Sequence, residues 1–239
     1  MKIPNRAMIA GALFLSISII VLADNPAGSE SYHGDPKRGA KIAAWGTSNG
    51  VASCSSCHGY DGVGNGTSVV PRLAGQSAAY LMQQLDKFAA SKRHNVYMIN
   101  FAQRLSPQER ADVSAYYSSL QSPFPPWNDQ FTGDQLERGR QLATLGDDKL
   151  TLPSCNNCHG PQGIGEPPDI PALKGQYSNF LIYRLQQLAA GRNNADLMFP
   201  ISSALSPDDM NAVAAYFERL GISSPQPSNV QQLANSLSH

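Results

Sequence analysis

A five-residue motif occurs twice in this chain and uses all four of its cysteines. Each copy has the form Cys-x-x-Cys-His, first at residues 54–58 and again at residues 155–159. Two thiols three residues apart, followed at once by an imidazole, are typical of covalent attachment of a c-type haem. The thiols become thioethers on the porphyrin, and the histidine becomes the proximal ligand of the iron. The motif predicts two covalently bound haem c groups, attached through Cys54, Cys57, Cys155 and Cys158 and ligated by His58 and His159.

Two alternatives use the same cysteines. An exported protein lies in an oxidising compartment, where four cysteines can form two disulfides. A tetrahedral zinc site also uses Cys-x-x-Cys pairs. Neither alternative explains why a histidine follows each cysteine pair directly, so the pattern favours haem.

The N-terminus has the composition of an export signal. Lys2 and Arg6 precede an uncharged, mostly apolar run over residues 7–23 that ends in Val-Leu-Ala. This is typical of a secretory signal peptide cleaved after Ala23, and it predicts a periplasmic protein. An uncleaved membrane anchor, with peripheral membrane association, is the alternative, although the run is slightly short for a full span. The formal net charge is zero, so the composition gives no indication of nucleic-acid binding.

The two motifs belong to a longer repeat with an offset of about one hundred residues. Residues 38–46 match residues 138–146, and Pro-x-Leu-x-Gly-Gln at 71–76 recurs at 171–176. The period is the size of a domain, which indicates a duplicated domain rather than a solenoid. A run with three prolines breaks the pattern and predicts the boundary. The predicted ranges are a signal peptide at 1–23, a first haem-binding domain at 24–122, a proline-rich linker at 123–131, a second haem-binding domain at 132–222 and a flexible polar tail at 223–239.

Local signals predict three helices in the first half. Residues 36–45 begin with a proline and end before Gly46, and residues 78–90 follow a capping serine. A third helix, at 107–120, follows a capping box formed by Ser106 and Glu109. Residues 91–101 are expected to be irregular.

The duplication selects one methionine in each half as the second axial ligand. Met98 and Met198 occupy matched positions, each about forty residues after its own histidine. Met82 and Met210 have no methionine at the matched position, which is typical of packing residues. Met98 and Met198 are therefore predicted to complete a His/Met ligand set at each iron.

Two other side chains compete with Met98 at the first haem. These are Lys92 and His94, whose matched positions hold Arg192 and Asn194, neither of which suits haem ligation. With His/Met ligation no ligand position stays open at either iron, which argues against catalysis there.

This set of motifs resembles the dihaem cytochromes c4. The resemblance rests on two Cys-x-x-Cys-His-Gly motifs, two Pro-x-Leu-x-Gly-Gln segments, the two matched methionines and two final helices, and it covers roughly residues 36–220. It implies an all-α fold of two tandem class I cytochrome c domains related by pseudo-twofold symmetry, with one covalent haem each. The first and last helices of each domain would cross at Gly39 and Gly139. The carbonyls of Pro71 and Pro171 would accept the Nδ1 protons of the proximal histidines, and the haem propionates would lie near the domain interface.

The same resemblance implies an electron carrier rather than an enzyme. It would shuttle single electrons from a quinol-oxidising complex or a dehydrogenase to a terminal oxidase or reductase. The alternative is a haem-bearing subunit of a periplasmic dehydrogenase complex. A haem enzyme such as a peroxidase would need an open iron, which two similar closed sites disfavour.

Overall fold

Two similar sets of helices follow one another along the chain, which the computed structural model describes over residues 33–124, 130–192 and 197–221. All of these residues belong to one compact unit. The first repeat, residues 33–124, contains α1 (Pro36–Trp45), α2 (Ser55–His58), α3 (Ala78–Ala89), α4 (Val96–Arg104) and α5 (Pro107–Ser119). The second repeat, residues 130–221, contains α6 (Gly133–Thr144), α7 (Asn156–His159), α8 (Ser178–Ala189), α9 (Met198–Ala204) and α10 (Pro207–Leu220). Two 3₁₀ turns, Asp148–Leu150 and Pro161–Gly163, flank α7.

The described ranges contain isolated β-bridges but no sheet, which agrees with the all-α prediction. None of their helices combines the length and the apolar character that crossing a membrane requires. The predicted signal peptide, most of the proline-rich linker and the polar tail lie outside the described residues.

The first and last helices of each repeat cross in close contact at a glycine. A Cβ built on Gly39 of α1 would lie 2.0 Å from the carbonyl oxygen of Asp112 in α5. At the equivalent crossing of α6 and α10, a Cβ on Gly139 would lie 2.1 Å from the carbonyl oxygen of Ala212. Only glycine allows the two backbones to approach so closely.

The helix boundaries follow their capping residues. Asp35 accepts from the N–H groups of Lys37 and Arg38, which starts α1 at the predicted residue. The capping box of Ser106 and Glu109 is present at the start of α5. The predicted ends of α3 and α5 are each one residue too long.

The expectation of an irregular stretch over residues 91–101 is wrong from Val96 onwards. Asn95 accepts hydrogen bonds from the N–H groups of Tyr97 and Met98, and this cap starts helix α4. In the second repeat, Met198 is the first residue of the equivalent helix α9. Both methionines therefore lie in the first turn of a helix that packs on its neighbour, α3 or α8.

The two repeats contact each other through exchanged glutamines. The side chain of Gln176 lies against the backbone of Arg72, and the side chain of Gln76 lies against the backbone of Ala172. Asn179 adds a further bond by donating from Nδ2 to the carbonyl oxygen of Gly66, at 2.8 Å. The Pro-x-Leu-x-Gly-Gln segments thus form the centre of the interface between the repeats.

Candidate haem-binding sites

Each Cys-x-x-Cys-His motif forms one short helical turn. In the first repeat the N–H groups of Cys57 and His58 donate to the carbonyl oxygen of Cys54, at 3.2 and 2.9 Å. In the second repeat the N–H of His159 donates to the carbonyl oxygen of Cys155, at 2.9 Å. The turn groups two thiols with one imidazole, as attachment to a single porphyrin requires.

The four cysteines are free thiols in two environments. Cys57 and Cys158 are exposed, whereas Cys54 and Cys155 are partly buried. Burial raises the pKa of both Cys54 and Cys155 to about 11, so these two thiols are neutral at pH 7. No cluster of three or more His, Cys, Asp or Glu side chains with metal-ion geometry occurs within the described ranges.

Both histidines are fixed by a proline carbonyl. Nδ1 of His58 lies 3.1 Å from the carbonyl oxygen of Pro71, and Nδ1 of His159 lies 2.9 Å from that of Pro171. Because a carbonyl oxygen can only accept, Nδ1 carries the proton in both rings and Nε2 keeps its lone pair. Burial lowers the pKa of both histidines, which favours the neutral imidazole that binds iron.

A glycine turn holds each proline carbonyl in place. The carbonyl oxygen of Gly62 accepts from the N–H groups of Leu73 and Ala74, at 2.8 and 3.0 Å, and Gly163 does the same for its own segment. Gly64 has a φ of +79°, and a Cβ there would lie 2.5 Å from the carbonyl oxygen of Pro71. The glycine-rich loop thus positions the segment that orients the histidine.

The two methionines are matched in position and in burial. Met98 and Met198 each lie partly buried in the first turn of their helix. Large apolar side chains beside them are exposed to solvent: Val96 at 75%, Tyr97 at 72% and Leu197 at 80%. In contrast, the rival residues Lys92 and His94 are both exposed. His94 faces a groove between the repeats that Tyr183 and Gln187 also line.

Two partly buried arginines, one from each repeat, form a positive cluster at the interface. The guanidinium of Arg93 lies 4.7 Å from the ring centroid of Phe88 and donates to Oε1 of Gln84, at 2.8 Å. The matched position of Gln84 is Arg184, whose pKa falls to about 10 because of burial and the nearby charge of Arg93. In the described part of the chain neither arginine has a carboxylate partner. An anion would stabilise two like charges in this partly buried position, and the propionates of a haem are such anions.

The small cores also fit a prosthetic group. In the described residues of the first repeat, the buried cluster consists of Ala43, Leu81 and Tyr117. The cluster of the second repeat is larger and includes Leu142, Val213 and Phe217. Each cluster is small for a repeat of this size, and the apolar surface of a prosthetic group would enlarge it. The free thiols, the oriented histidines and the arginine cluster all fit haem c.

The sequence did not indicate the exchange of glutamines or the position of Arg72. The side chain of Arg72 is 7% exposed and donates to the carbonyl oxygens of Ser122 and Pro123. The repeated Pro-x-Leu-x-Gly-Gln segment was the only available signal for this interface, and it does not say which repeat the glutamine contacts.

Helices crossing at a glycine, with a Cys-x-x-Cys-His turn oriented by a proline carbonyl, define a class I cytochrome c, here present twice. The family model for cytochrome c matches residues 37–121. A thiosulfate dehydrogenase electron acceptor of Stutzerimonas stutzeri is 37% identical over 188 residues, which cover 77% of this chain and 86% of that protein. Cytochrome c4 of Pseudomonas aeruginosa is 30% identical over 177 residues, covering 71% and 85%.

Solved structures show the same relationship. Reduced cytochrome c4 from Pseudomonas stutzeri matches with a TM-score of 0.67 and 28% identity, over 78% of this chain and 99% of that one. Thiosulfate dehydrogenase (TsdBA) from Marichromatium purpuratum matches with a TM-score of 0.69 and 37% identity, over 77% of this chain but only 40% of that one. This chain belongs to the cytochrome c4 family of dihaem cytochromes c.

Membership of the family confirms three predictions. The fold consists of tandem class I cytochrome c domains, the cofactors are two covalently bound haem c groups, and the protein transfers electrons rather than catalysing a reaction on a substrate. Its partners are therefore redox proteins.

Proposed function

We propose that this chain is a periplasmic dihaem electron carrier that accepts electrons from a dehydrogenase. Cys54 and Cys57 would hold the haem of the first repeat, and His58 and Met98 would ligate its iron. Cys155 and Cys158 would hold the haem of the second repeat, and His159 and Met198 would ligate its iron. Each bound haem supplies one iron that cycles between Fe(III) and Fe(II).

The observation that carries this proposal is the matched geometry of the two repeats. In both repeats, Nδ1 of a histidine contacts a proline carbonyl, which leaves Nε2 available to bind iron. In both, a partly buried methionine lies in the first turn of a later helix, α4 or α9. Two matched sites, each with a histidine and a methionine proposed as axial ligands, suit electron storage and transfer. Arg93 and Arg184 would neutralise propionates at the interface, and Pro71 and Pro171 orient the histidines.

The proposed electron donor is chosen from the names of two similar proteins. Electron acceptors of thiosulfate dehydrogenase from two organisms, Stutzerimonas stutzeri and Thiomonas intermedia, are 37% and 33% identical to this chain. A periplasmic dehydrogenase that oxidises thiosulfate is therefore the proposed electron donor. The apolar export signal at residues 7–23 supports the periplasmic location.

The donor is tested by mixing the oxidised protein with thiosulfate dehydrogenase and thiosulfate and following haem absorbance. We expect both haems to become reduced, with two electrons taken up per chain. Omission of thiosulfate is the control. If dithionite reduces the protein and the dehydrogenase with thiosulfate does not, this donor is wrong.

The axial ligands are tested separately by Met98→Ala and Met198→Ala. Each variant is expected to convert one haem to the high-spin state while the other stays low-spin, because only one iron loses its sulfur ligand. Absorption and electron paramagnetic resonance spectra measure this. Met82→Ala and Met210→Ala are the matched controls, and both should keep two low-spin haems. If Met98→Ala or Met198→Ala keeps both haems low-spin, the assignment of that methionine as an axial ligand is wrong.

A second candidate function is a freely diffusing shuttle between a quinol-oxidising complex and a terminal oxidase or reductase. The identity to proteins named cytochrome c4, 30% for the Pseudomonas aeruginosa protein, favours it. Reduction by a quinol-oxidising complex at a rate well above that with the dehydrogenase would select this candidate over the first.

A further inference from the structure

Each proximal histidine is connected by hydrogen bonds to a glutamine of the opposite repeat. The carbonyl of Pro71 contacts His58, and the N–H of the same peptide group belongs to Arg72. That N–H donates to Oε1 of Gln176, at 3.0 Å. In a planar trans peptide the C=O and the N–H point in opposite directions, so one group contacts its own histidine and the other reaches the opposite repeat.

The second repeat has the same arrangement in reverse. The carbonyl of Pro171 contacts His159, at 2.9 Å, and the N–H of Ala172 donates to Oε1 of Gln76, at 3.1 Å. Each glutamine also donates a hydrogen bond back to the same residue. Nε2 of Gln176 donates to the carbonyl oxygen of Arg72, at 2.9 Å, and Nε2 of Gln76 donates to that of Ala172, at 3.0 Å. The amide of each glutamine is thus fixed by two bonds across the interface.

The backbone of the glutamine's own repeat fixes the acceptor oxygen as well. Oε1 of Gln76 accepts from the N–H of Ser77, at 3.0 Å, and Oε1 of Gln176 accepts from the N–H of Tyr177, at 3.1 Å. Gln176 is 7% exposed, and its bond to Arg72 is buried. The bond from Ala172 to Gln76 is only partly buried.

We infer that Gln76 and Gln176 are positioning residues that set the reduction potential of the haem in the opposite repeat. The hydrogen bond from the N–H to the glutamine polarises the peptide group that contains this N–H and the proline carbonyl. The proline carbonyl thereby becomes a stronger acceptor for the histidine Nδ1 proton. A stronger bond from Nδ1 makes the imidazole a more basic ligand, which stabilises Fe(III) over Fe(II) and lowers the potential. This inference rests on the proposed ligands His58 and His159.

The inference predicts a crossed response to substitution. Gln176→Leu removes the acceptor for the Arg72 N–H, so the potential of the haem on His58 should rise. Gln76→Leu should raise the potential of the haem on His159 instead. A change of about 10–30% in the strength of the histidine–carbonyl hydrogen bond is expected to alter the Fe(III)/Fe(II) ratio about twofold. For a one-electron couple this is a shift of about 18 mV in the reduction potential. The shift should be larger for Gln176→Leu, because its bond is buried.

The measurement is a spectroelectrochemical titration of the haem-loaded protein, with each haem followed by its own hyperfine-shifted proton resonances. Resonances are assigned to a repeat by their loss in Met98→Ala or Met198→Ala. Asn179→Ala is the matched control, because it removes a bond between the repeats that does not involve the peptide next to either histidine. Gln176→Glu keeps an acceptor oxygen for the Arg72 N–H, so the potential of the haem on His58 should not rise in this variant.

A rise confined to the opposite haem supports the inference. An unchanged potential, or equal shifts of both haems, overturns it, as does a rise in Asn179→Ala or Gln176→Glu. The proposed function is judged from the wild-type protein alone, by two low-spin haems and reduction by the dehydrogenase. If the wild-type protein meets both criteria and the glutamine variants keep the wild-type potentials, only this inference is overturned.

Discussion

Asp112 shows how one buried carboxylate holds the start of the first repeat. Its side chain is 2% exposed and accepts from Nε and Nη2 of Arg38, from the N–H of Asp35 and from Nε2 of Gln108. Burial raises the pKa of Asp112, but these hydrogen bonds together outweigh it, so the pKa lies below its ordinary value of 3.8. The ionised form is therefore the one that stabilises the fold.

We expect Asp112→Asn to lower the free energy of unfolding by about 2 kcal/mol at pH 7, because the buried side chain loses the charge that strengthens its hydrogen bonds from Arg38. A carboxylate with a lowered folded pKa stabilises the protein above its unfolded pKa, and that contribution is lost as the pH falls through the folded pKa. The difference between variant and wild type should thus shrink below about pH 4. Urea unfolding of the haem-loaded proteins at several pH values measures this.

The control is Glu137→Gln, which removes an exposed pair with Arg140 and should leave the free energy of unfolding close to that of the wild type, because solvent screens the pair. A difference for Asp112→Asn that stays constant down to pH 3 would contradict the assignment of the ionised carboxylate as the stabilising form.

At the scale of helices, the duplication kept an arginine and changed its partners. Arg38 in α1 pairs with Asp112 and Asp35, whereas the matched Arg138 in α6 pairs with Asp147 and Asp209. The position matched to Asp112 is Ala212. Both arrangements hold the first helix of the repeat to the last one, so the crossing is retained although its ion pairs differ.

The close crossing of α1 and α5 at Gly39 predicts the effect of a single added methyl group. Gly39→Ala should destabilise the protein by about 3 kcal/mol, because the added methyl group forces α1 away from the backbone of α5. Thermal unfolding of the haem-loaded protein measures the effect. Gly133→Ala is the matched control, since a Cβ there meets nothing within 4 Å, and we expect a change of less than about 1 kcal/mol. Equal stability of the Gly39 and Gly133 variants would rule out the close crossing.

The sequence predicted the elements that local signals determine. Proline and serine caps located α1 and α5, and the spacing of cysteine and histidine located the haem turns. Helix α4 was missed because it is short, at nine residues, and a run of polar residues precedes its Asn95 cap. The contacts between the repeats could not be predicted, since a repeated segment does not reveal which copy its side chains reach.

For the whole molecule, Arg72 connects the interface to the segment that leads into the second repeat. Its backbone pairs with Gln176, and its guanidinium donates to the carbonyl oxygens of Ser122 and Pro123. The same guanidinium lies 4.7 Å from the ring centroid of Phe124. One side chain thus fixes the path of the chain as it leaves the first repeat.

We expect Arg72→Leu to weaken the coupling between the repeats, because the segment that leads into the second repeat loses a charged donor to the carbonyls of Ser122 and Pro123, at a cost of about 3 kcal/mol. Wild-type protein should unfold in one calorimetric transition, and the variant should show two, one for each repeat. Arg140→Leu, at an exposed position, should behave as wild type. A single transition at the wild-type temperature in Arg72→Leu would contradict this role.

The exchange of Gln76 and Gln176 has a consequence for the origin of the chain. The same segment supplies the glutamine on one side and the receiving backbone on the other. Such a surface is isologous, so a single copy of the domain can pair with an identical copy through it. Joining two copies in one polypeptide replaces a bimolecular association with an intramolecular one at high effective concentration. Pairing of the two redox centres is then independent of how dilute the protein is.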